Sequence, residues 1–179
     1  LSLLTGTAAV ALAAVRAAPS RLAGAALVVV LTGSKAVVDF TTSGLENPLT
    51  HLLVAAFAVE FLHKKRLPLL ALLAGLAMTN RLDTALLVGP ALAYALFCDR
   101  RQWLLAVAAG ATPLALWHSF ALVYYGFPFP NTAYAKLGAG IPRMELLESG
   151  GAWLDWAIRT DPTTVVLLAI GLVAARTAP

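Results

Sequence analysis

Three short polar stretches in an otherwise apolar chain carry the side chains that could do chemistry. They run over Asp39–Pro48, Asn80–Asp83 and Tyr124–Lys136. Carboxylates such as Asp39 and Glu46 can act as a general base or hold a metal ion. Arginine binds phosphate through a bidentate fork, and lysine supplies a compact positive charge. Together these residue types suit the transfer of a group from a lipid-linked phosphate to an acceptor hydroxyl.

Each candidate also has a purely structural interpretation. Asp39 can be a loop acid or a helix cap, and Glu46-Asn47-Pro48 can simply begin a helix, since proline and an acid are favoured in a first turn. Arg81 and Asp83 can pair with each other, although residues two apart point to different sides of a regular helix. Lys136 can be an interfacial anchor, and the aromatic side chains can form a belt at the lipid headgroups.

The composition indicates a multispanning membrane protein. Hydrophobic residues make up 60% of the 179 residues and charged residues 12%, whereas a soluble domain carries about 25% charged residues. The formal net charge of +4 does not indicate nucleic-acid binding, because the basic residues are scattered between apolar runs. Cys98 is the single cysteine, which excludes a disulfide framework and a metal site built on cysteines.

Seven apolar segments predict an all-α, polytopic helical bundle in which several helices form short hairpins. A full span needs about 20 residues, and most of these segments are shorter. Short arms would draw the polar loops below the headgroups, where ionisable side chains usually face a cavity. The predicted segments are Leu1–Val15, Leu22–Val38, Leu49–Leu62, Leu67–Thr79, Thr84–Phe97, Trp103–Val123 and Thr163–Ala175.

Basic residues mark alternate loops of this bundle. They are Arg16, Arg21, Lys64, Lys65, Arg66, Arg100, Arg101 and Arg176. By the positive-inside rule this side is cytoplasmic, so the three polar stretches face the extracytoplasmic side. Residues 1–123 then form a transmembrane core, 124–161 an extracytoplasmic loop with an interfacial helix, and 162–179 a further transmembrane segment.

The polar stretches resemble motifs of one enzyme superfamily. Thr42–Leu49, the break Asn80–Asp83 and Tyr125–Lys136 are similar to segments of GT-C membrane glycosyltransferases. The nearest likeness is to the actinobacterial terminal arabinofuranosyltransferases that use decaprenyl-phosphoryl-arabinose. The resemblance covers a small part of the chain. It implies a GT-C-like core in a bacterial plasma membrane, an extracytoplasmic active site, a polyprenyl-phosphate sugar donor and a cell-wall or envelope glycan acceptor.

The residues of these motifs fall into two expected roles. Asp39 and Glu46 are the candidates for catalysis, as the carboxylate that deprotonates the acceptor hydroxyl. The substrate-binding candidates are Asn47, Arg81, Asp83, Tyr125, Asn131, Thr132 and Lys136. Among them, Arg81 and Lys136 are expected to stabilise the charge of the departing polyprenyl phosphate. No residue is assigned to a metal and no cofactor is assigned, although a divalent cation is compatible with the carboxylates.

One departure from the superfamily concerns the catalytic acid. Such enzymes usually carry it in the first outer loop, a region expected upstream of Leu1. The chain begins without a methionine and is expected to be a piece of a longer protein. Asp39 and Glu46 can therefore instead shape the acceptor site.

Two other classes of function fit the same pattern. Broken helices with charges at membrane depth also build transport sites, which would make the chain a transporter or a lipid-carrier flippase. A non-catalytic membrane scaffold, whose outer motifs bind a partner, is the third interpretation.

Overall fold

Helices account for nearly all the residues that the computed structural model describes, namely 2–17, 20–42, 46–63, 66–128, 140–166 and 169. No strand occurs among these residues, so the predicted all-α class is confirmed. The α-helices are α1 Ser2–Leu12, α2 Arg21–Gly33, α3 Lys35–Thr42, α4 Asn47–His63, α5 Leu67–Asn80, α6 Ala85–Cys98, α7 Trp103–Tyr125 and α8 Arg143–Thr160, and residues 162–166 are also helical. A π-helical turn, Ala13–Ala17, continues α1, and a 3₁₀ turn, Leu82–Thr84, precedes α6.

The predicted segment Leu22–Val38 is interrupted at Ser34. This residue leaves the helical conformation, with φ −74° and ψ 120°, and its hydroxyl accepts a hydrogen bond from the backbone N–H of Val37 at 3.3 Å. Ser34 therefore caps α3 in the usual manner of a helix N-terminus. Because α3 runs on to Thr42, Asp39 lies in a helix, whereas the sequence predicts a loop from this residue onward.

α4 and α5 form an antiparallel hairpin that is tied at both ends. At one end Arg66 donates from Nε to Glu60 Oε1 and from Nη2 to Glu60 Oε2, each at 2.9 Å. At the other end the side-chain amide of Asn80 donates to the hydroxyl of Thr50 at 2.8 Å. The hairpin therefore separates a basic end, near Arg66, from a polar end, near Asn80.

The core lies where α5 packs between α4, α6 and α7. Its buried members are Phe57, Leu67, Leu70, Ala71, Ala74, Val88, Ala95 and Ala106. Small residues let α5 and α7 approach closely: a Cβ placed on Gly75 would lie 2.2 Å from the carbonyl oxygen of Gly110 and 2.9 Å from Cγ of Pro113. A Cβ on Gly110 would in turn lie 3.0 Å from the carbonyl oxygen of Ala71. From Ala71 to Gly75 on α5, the contacts on α7 move from Gly110 to Pro113, in the same chain direction. α5 and α7 therefore run parallel, and both helices point towards the polar end.

Large apolar side chains cover the outside of this bundle. Leu22, Leu86 and Val123 are 82%, 85% and 89% exposed. Among the described residues, one helix, α7 with 23 residues, is long and apolar enough to cross a membrane, while Arg21–Gly33, Leu67–Asn80 and Leu82–Cys98 are apolar but shorter. The helical fold is therefore established, and the membrane placement of the helices stays a prediction.

Candidate functional site

Arg81 joins two of the predicted polar stretches into one cluster at the polar end of the hairpin. Its Nε and Nη2 atoms donate to the two carboxylate oxygens of Asp83 at 3.1 Å and 2.8 Å. Its Nη1 atom donates to Glu46 Oε1 at 3.3 Å and to Asn47 Oδ1 at 2.9 Å. The structure thus brings together four of the predicted site residues, although Glu46 and Arg81 are 35 positions apart in the chain.

The backbone explains why Arg81 can reach in two directions. α5 ends where the N–H of Arg81 bonds to the carbonyl oxygen of Ala77 at 2.8 Å, and Arg81 itself is extended, with φ −147° and ψ 116°. The following 3₁₀ turn is held by the hydroxyl of Thr84, which donates to the Arg81 carbonyl oxygen at 2.7 Å. Because residues 81–84 do not continue the α-helix, Arg81 and Asp83 meet, whereas a regular helix would point them apart.

Asn80 fixes the position of the chain that carries Glu46. The side-chain amide of Asn80 donates to the backbone carbonyl oxygen of Glu46 at 3.1 Å as well as to Thr50. The same carbonyl oxygen accepts from the N–H groups of Leu49 and Thr50 at the start of α4. Asn80 and Thr50 are therefore positioning residues outside the predicted site; an amide directly before Arg81 is the sequence signal for Asn80, and Thr50 has none.

The cluster carries a formal net charge of −1, from the Arg81 guanidinium and the carboxylates of Glu46 and Asp83. Hydrogen bonds from Arg81 lower the pKa of Asp83 below its ordinary value, so this carboxylate stays ionised at neutral pH. Both side chains are exposed, but both oxygens of Asp83 are held in the fork, whereas Glu46 is held through one oxygen at 3.3 Å. Glu46 is therefore the carboxylate that is better placed to accept a proton.

Arg81 is occupied by protein acceptors in this geometry. The four hydrogen bonds that it donates go to Asp83, Glu46 and Asn47, and a phosphate would have to displace one of these partners to gain a bidentate contact. The described residues bring no group of three or more histidine, cysteine, aspartate or glutamate side chains together in a way that could hold a metal ion.

Asp39 does not share this cluster in the described part of the chain. It lies in α3 and forms an ion pair with Lys35, one turn earlier. Both side chains are more than half exposed, and an exposed pair at this spacing contributes little to stability. The structure therefore separates the two carboxylates predicted as catalytic: Glu46 belongs to the Arg81 cluster and Asp39 to a surface pair.

Tyr125 is the last residue of α7, and its ring packs against other aromatic rings beyond the Arg81 cluster. Its ring lies 4.8 Å from that of Tyr124 and 6.2 Å from that of Phe120. Gly126, in the left-handed conformation with φ 76°, closes the helix. Since Gly75 lies opposite Gly110 and each residue rises about 1.5 Å, α7 extends past the end of α5. The remaining predicted ligands, Asn131, Thr132 and Lys136, lie outside the described residues.

A second polar group lies at the break between α2 and α3. The hydroxyl of Ser34 donates to Asp161 Oδ2 at 2.8 Å, and the Thr164 hydroxyl donates to the same oxygen at 2.8 Å. Ser34 is 1% and Asp161 8% exposed, so this carboxylate is buried with its hydrogen bonds satisfied. It anchors the segment that follows α8 to the helix break, a link that the sequence analysis missed.

Comparisons of the chain with protein-family models, with curated proteins and with solved structures find no match. Function is therefore inferred from the residues and the geometry of this chain.

Proposed function

We propose that the chain is the membrane core of a glycosyltransferase. It moves a sugar, arabinofuranose by the resemblance of its motifs, from a polyprenyl-phosphate donor to an envelope glycan acceptor. The observation that supports this proposal is the Arg81 cluster, in which the exposed carboxylate of Glu46 is held between a helix start and a helix break. Both elements belong to stretches that resemble GT-C motifs.

The distribution of charge supports a polytopic placement in a bacterial plasma membrane. Arg16, His63 and Arg66 line one cavity at the basic end, although the first comes from the turn after α1 and the others from the α4–α5 hairpin. The Arg81 cluster lies at the opposite end of the same hairpin. Basic residues gather on the cytoplasmic side of membrane proteins, so the cluster would face the extracytoplasmic side.

The reaction assigned to the cluster is a displacement at the anomeric carbon. Glu46 accepts the proton of the acceptor hydroxyl, and the resulting oxygen attacks the anomeric carbon. The bond from that carbon to the phosphate oxygen breaks, and polyprenyl phosphate leaves with the electron pair. Arg81 positions the carboxylate of Glu46, while Asn47 and the fork to Asp83 fix Arg81.

The charge of the cluster places a condition on donor binding. A net charge of −1 repels a phosphate, so positive charge must come from elsewhere or Arg81 must exchange a carboxylate for the phosphate. Lys136 is the residue proposed to supply this additional positive charge. This refines the expected role of Arg81, which here positions Glu46 and binds phosphate only after exchange.

The test is transfer of radiolabelled sugar from a purified polyprenyl-phosphate donor by the full-length protein in vesicles. A labelled product with a new glycosidic bond, formed only when the acceptor glycan is added, is the expected result. Label that remains on the lipid in the presence of acceptor would contradict the proposal.

A transporter is the second candidate, favoured by the break at Ser34. A discontinuous helix whose break faces a buried carboxylate is an arrangement that transporters use for substrates and ions. Asp161 supplies that carboxylate here. Sugar or ion flux into vesicles without a new glycosidic bond would favour the transporter over the transferase.

A further inference from the structure

A second site lies at the basic end of the hairpin, far from the Arg81 cluster. A cavity of about 320 Å³ opens between the turn that follows α1 and the end of α4. Its lining comprises Val15, Arg16, Val59, Glu60, His63 and Arg66. One wall is therefore apolar and the other carries ionisable side chains.

The carboxylate in this cavity is already neutralised. Glu60 is 7% exposed and accepts three hydrogen bonds from Arg66: two from the guanidinium at 2.9 Å and one from the backbone N–H at 3.1 Å. These bonds raise the pKa of Arg66 above its ordinary value, and the opposite charges of the ion pair cancel. The net charge of the cavity is therefore set by its remaining ionisable residues.

Arg16 supplies the uncompensated positive charge. The hydrogen bonds and ion pairs of the described residues do not involve its guanidinium, whereas its backbone carbonyl oxygen accepts a hydrogen bond from Nε2 of His63. Arg16 lies in the π-helical turn Ala13–Ala17, a widened turn that recurs at functional sites.

We propose that this cavity binds the phosphate of an anionic phospholipid in the cytoplasmic leaflet. Arg16 contacts the phosphate oxygens, and the apolar wall of Val15 and Val59 lies against the first methylene groups of the lipid. Basic pockets between helices on the cytoplasmic side bind anionic headgroups in this way. The inference depends on the membrane placement proposed above, and it does not depend on sugar transfer.

The test uses the full chain in lipid nanodiscs that contain either phosphatidylglycerol in phosphatidylcholine or phosphatidylcholine alone. Lipid that stays bound is counted by native mass spectrometry after release. Wild type should retain phosphatidylglycerol in preference to phosphatidylcholine, and Arg16→Gln should bind it about fivefold more weakly. Arg143→Gln, which removes the same charge at the exposed start of α8, is the matched control and should bind like wild type.

Three results would overturn the proposal. The first is equal retention of the two lipids by wild type. The second is equal retention of phosphatidylglycerol by the Arg16 and Arg143 variants when both keep the helical circular dichroism of wild type. The third is displacement of the lipid by inorganic phosphate at equal concentration, which would assign the site to a soluble anion. Arg16→Gln should transfer sugar at the wild-type rate. The lipid-retention assay therefore tests this cavity, the sugar-transfer assay tests the transferase, and either proposal can fail without the other.

Discussion

At the scale of single residues, Arg81 determines the geometry of the candidate site. It connects Asp83 within its own turn to Glu46 and Asn47 at the start of α4. Only a planar guanidinium can serve a bidentate carboxylate and two further acceptors at once. A lysine would keep the charge and lose the fork.

We therefore expect Arg81→Lys to lower sugar transfer by about a hundredfold, the effect of misplacing a reacting group by about 1 Å. Arg159→Lys is the matched control, since Arg159 pairs with Asp155 on the exposed face of α8. That variant should transfer sugar like wild type. If both variants keep full turnover in the radiolabel assay, Arg81 does not position the catalytic carboxylate.

The ion pair between Arg81 and Asp83 also sets a dependence on pH. Because the folded pKa of Asp83 is lowered from 3.8, its stabilising contribution is present above that value and is lost as pH falls through the lowered folded pKa. Wild type should melt at a higher temperature than Asp83→Asn at neutral pH, by a small margin because the pair is exposed. The melting temperatures of the two proteins in detergent should begin to converge as pH falls below about 3.8 and should coincide below the lowered folded pKa of Asp83. A difference that persists at that acidity would mean that the ion pair is not its cause.

At the scale of elements, the close crossing of α5 and α7 holds the break at Arg81 in place. A side chain at Gly75 would meet the backbone of Gly110, and backbone cannot move aside without separating the helices. We expect Gly75→Ala to destabilise the fold by about 1–3 kcal/mol, the usual cost of overpacking.

The control for this crossing is Gly150→Ala in α8, where no atom outside the local helix backbone lies within 4 Å of the added Cβ. That substitution should leave stability unchanged or raise it slightly, because alanine favours a helix over glycine. Thermal unfolding followed by circular dichroism in detergent compares the two. Equal unfolding temperatures for both variants would show that the crossing is loosely packed.

Hydropathy predicts the α5–α7 region well and the α2–α3 region poorly. Leu67–Thr79 and Trp103–Val123 are predicted to within two residues of the observed ends of α5 and α7, because apolar runs there stop at polar residues. The break at Ser34 has a shorter signal, Thr32-Gly33-Ser34-Lys35, which lies inside the predicted apolar segment Leu22–Val38 and did not divide it. Its partner Asp161 is 127 positions away, and a contact of that range cannot be inferred from local pattern.

At the scale of the whole molecule, the proposed function requires the basic end and the polar end to lie on opposite sides of a bilayer. The sequence indicates this from alternating basic loops, and the structure brings Arg16, His63 and Arg66 to one end. What could not be predicted is which side chains meet inside the polar end. Glu46 and Asp39 look equivalent in the sequence, and only the tertiary contacts of Arg81 distinguish them.

Cys98 offers a direct test of this orientation. It is the single cysteine of the chain and is exposed at the end of α6, close to the basic residues Arg100 and Arg101. In intact cells a membrane-impermeant maleimide should leave Cys98 unlabelled and should label Asp155→Cys in a Cys98→Ser background. The opposite labelling pattern would invert the topology and place the Arg81 cluster in the cytoplasm.

The most direct test of the central claim, that Glu46 is the carboxylate which activates the acceptor, is a single-turnover transfer assay on Glu46→Gln. The substitution keeps the size and one hydrogen-bond acceptor of the side chain and removes its ability to take a proton. We expect a loss of at least about a hundredfold in the rate of glycosidic-bond formation. Glu145→Gln, on the exposed first turn of α8, should retain the wild-type rate. Transfer by Glu46→Gln at the wild-type rate would contradict the account.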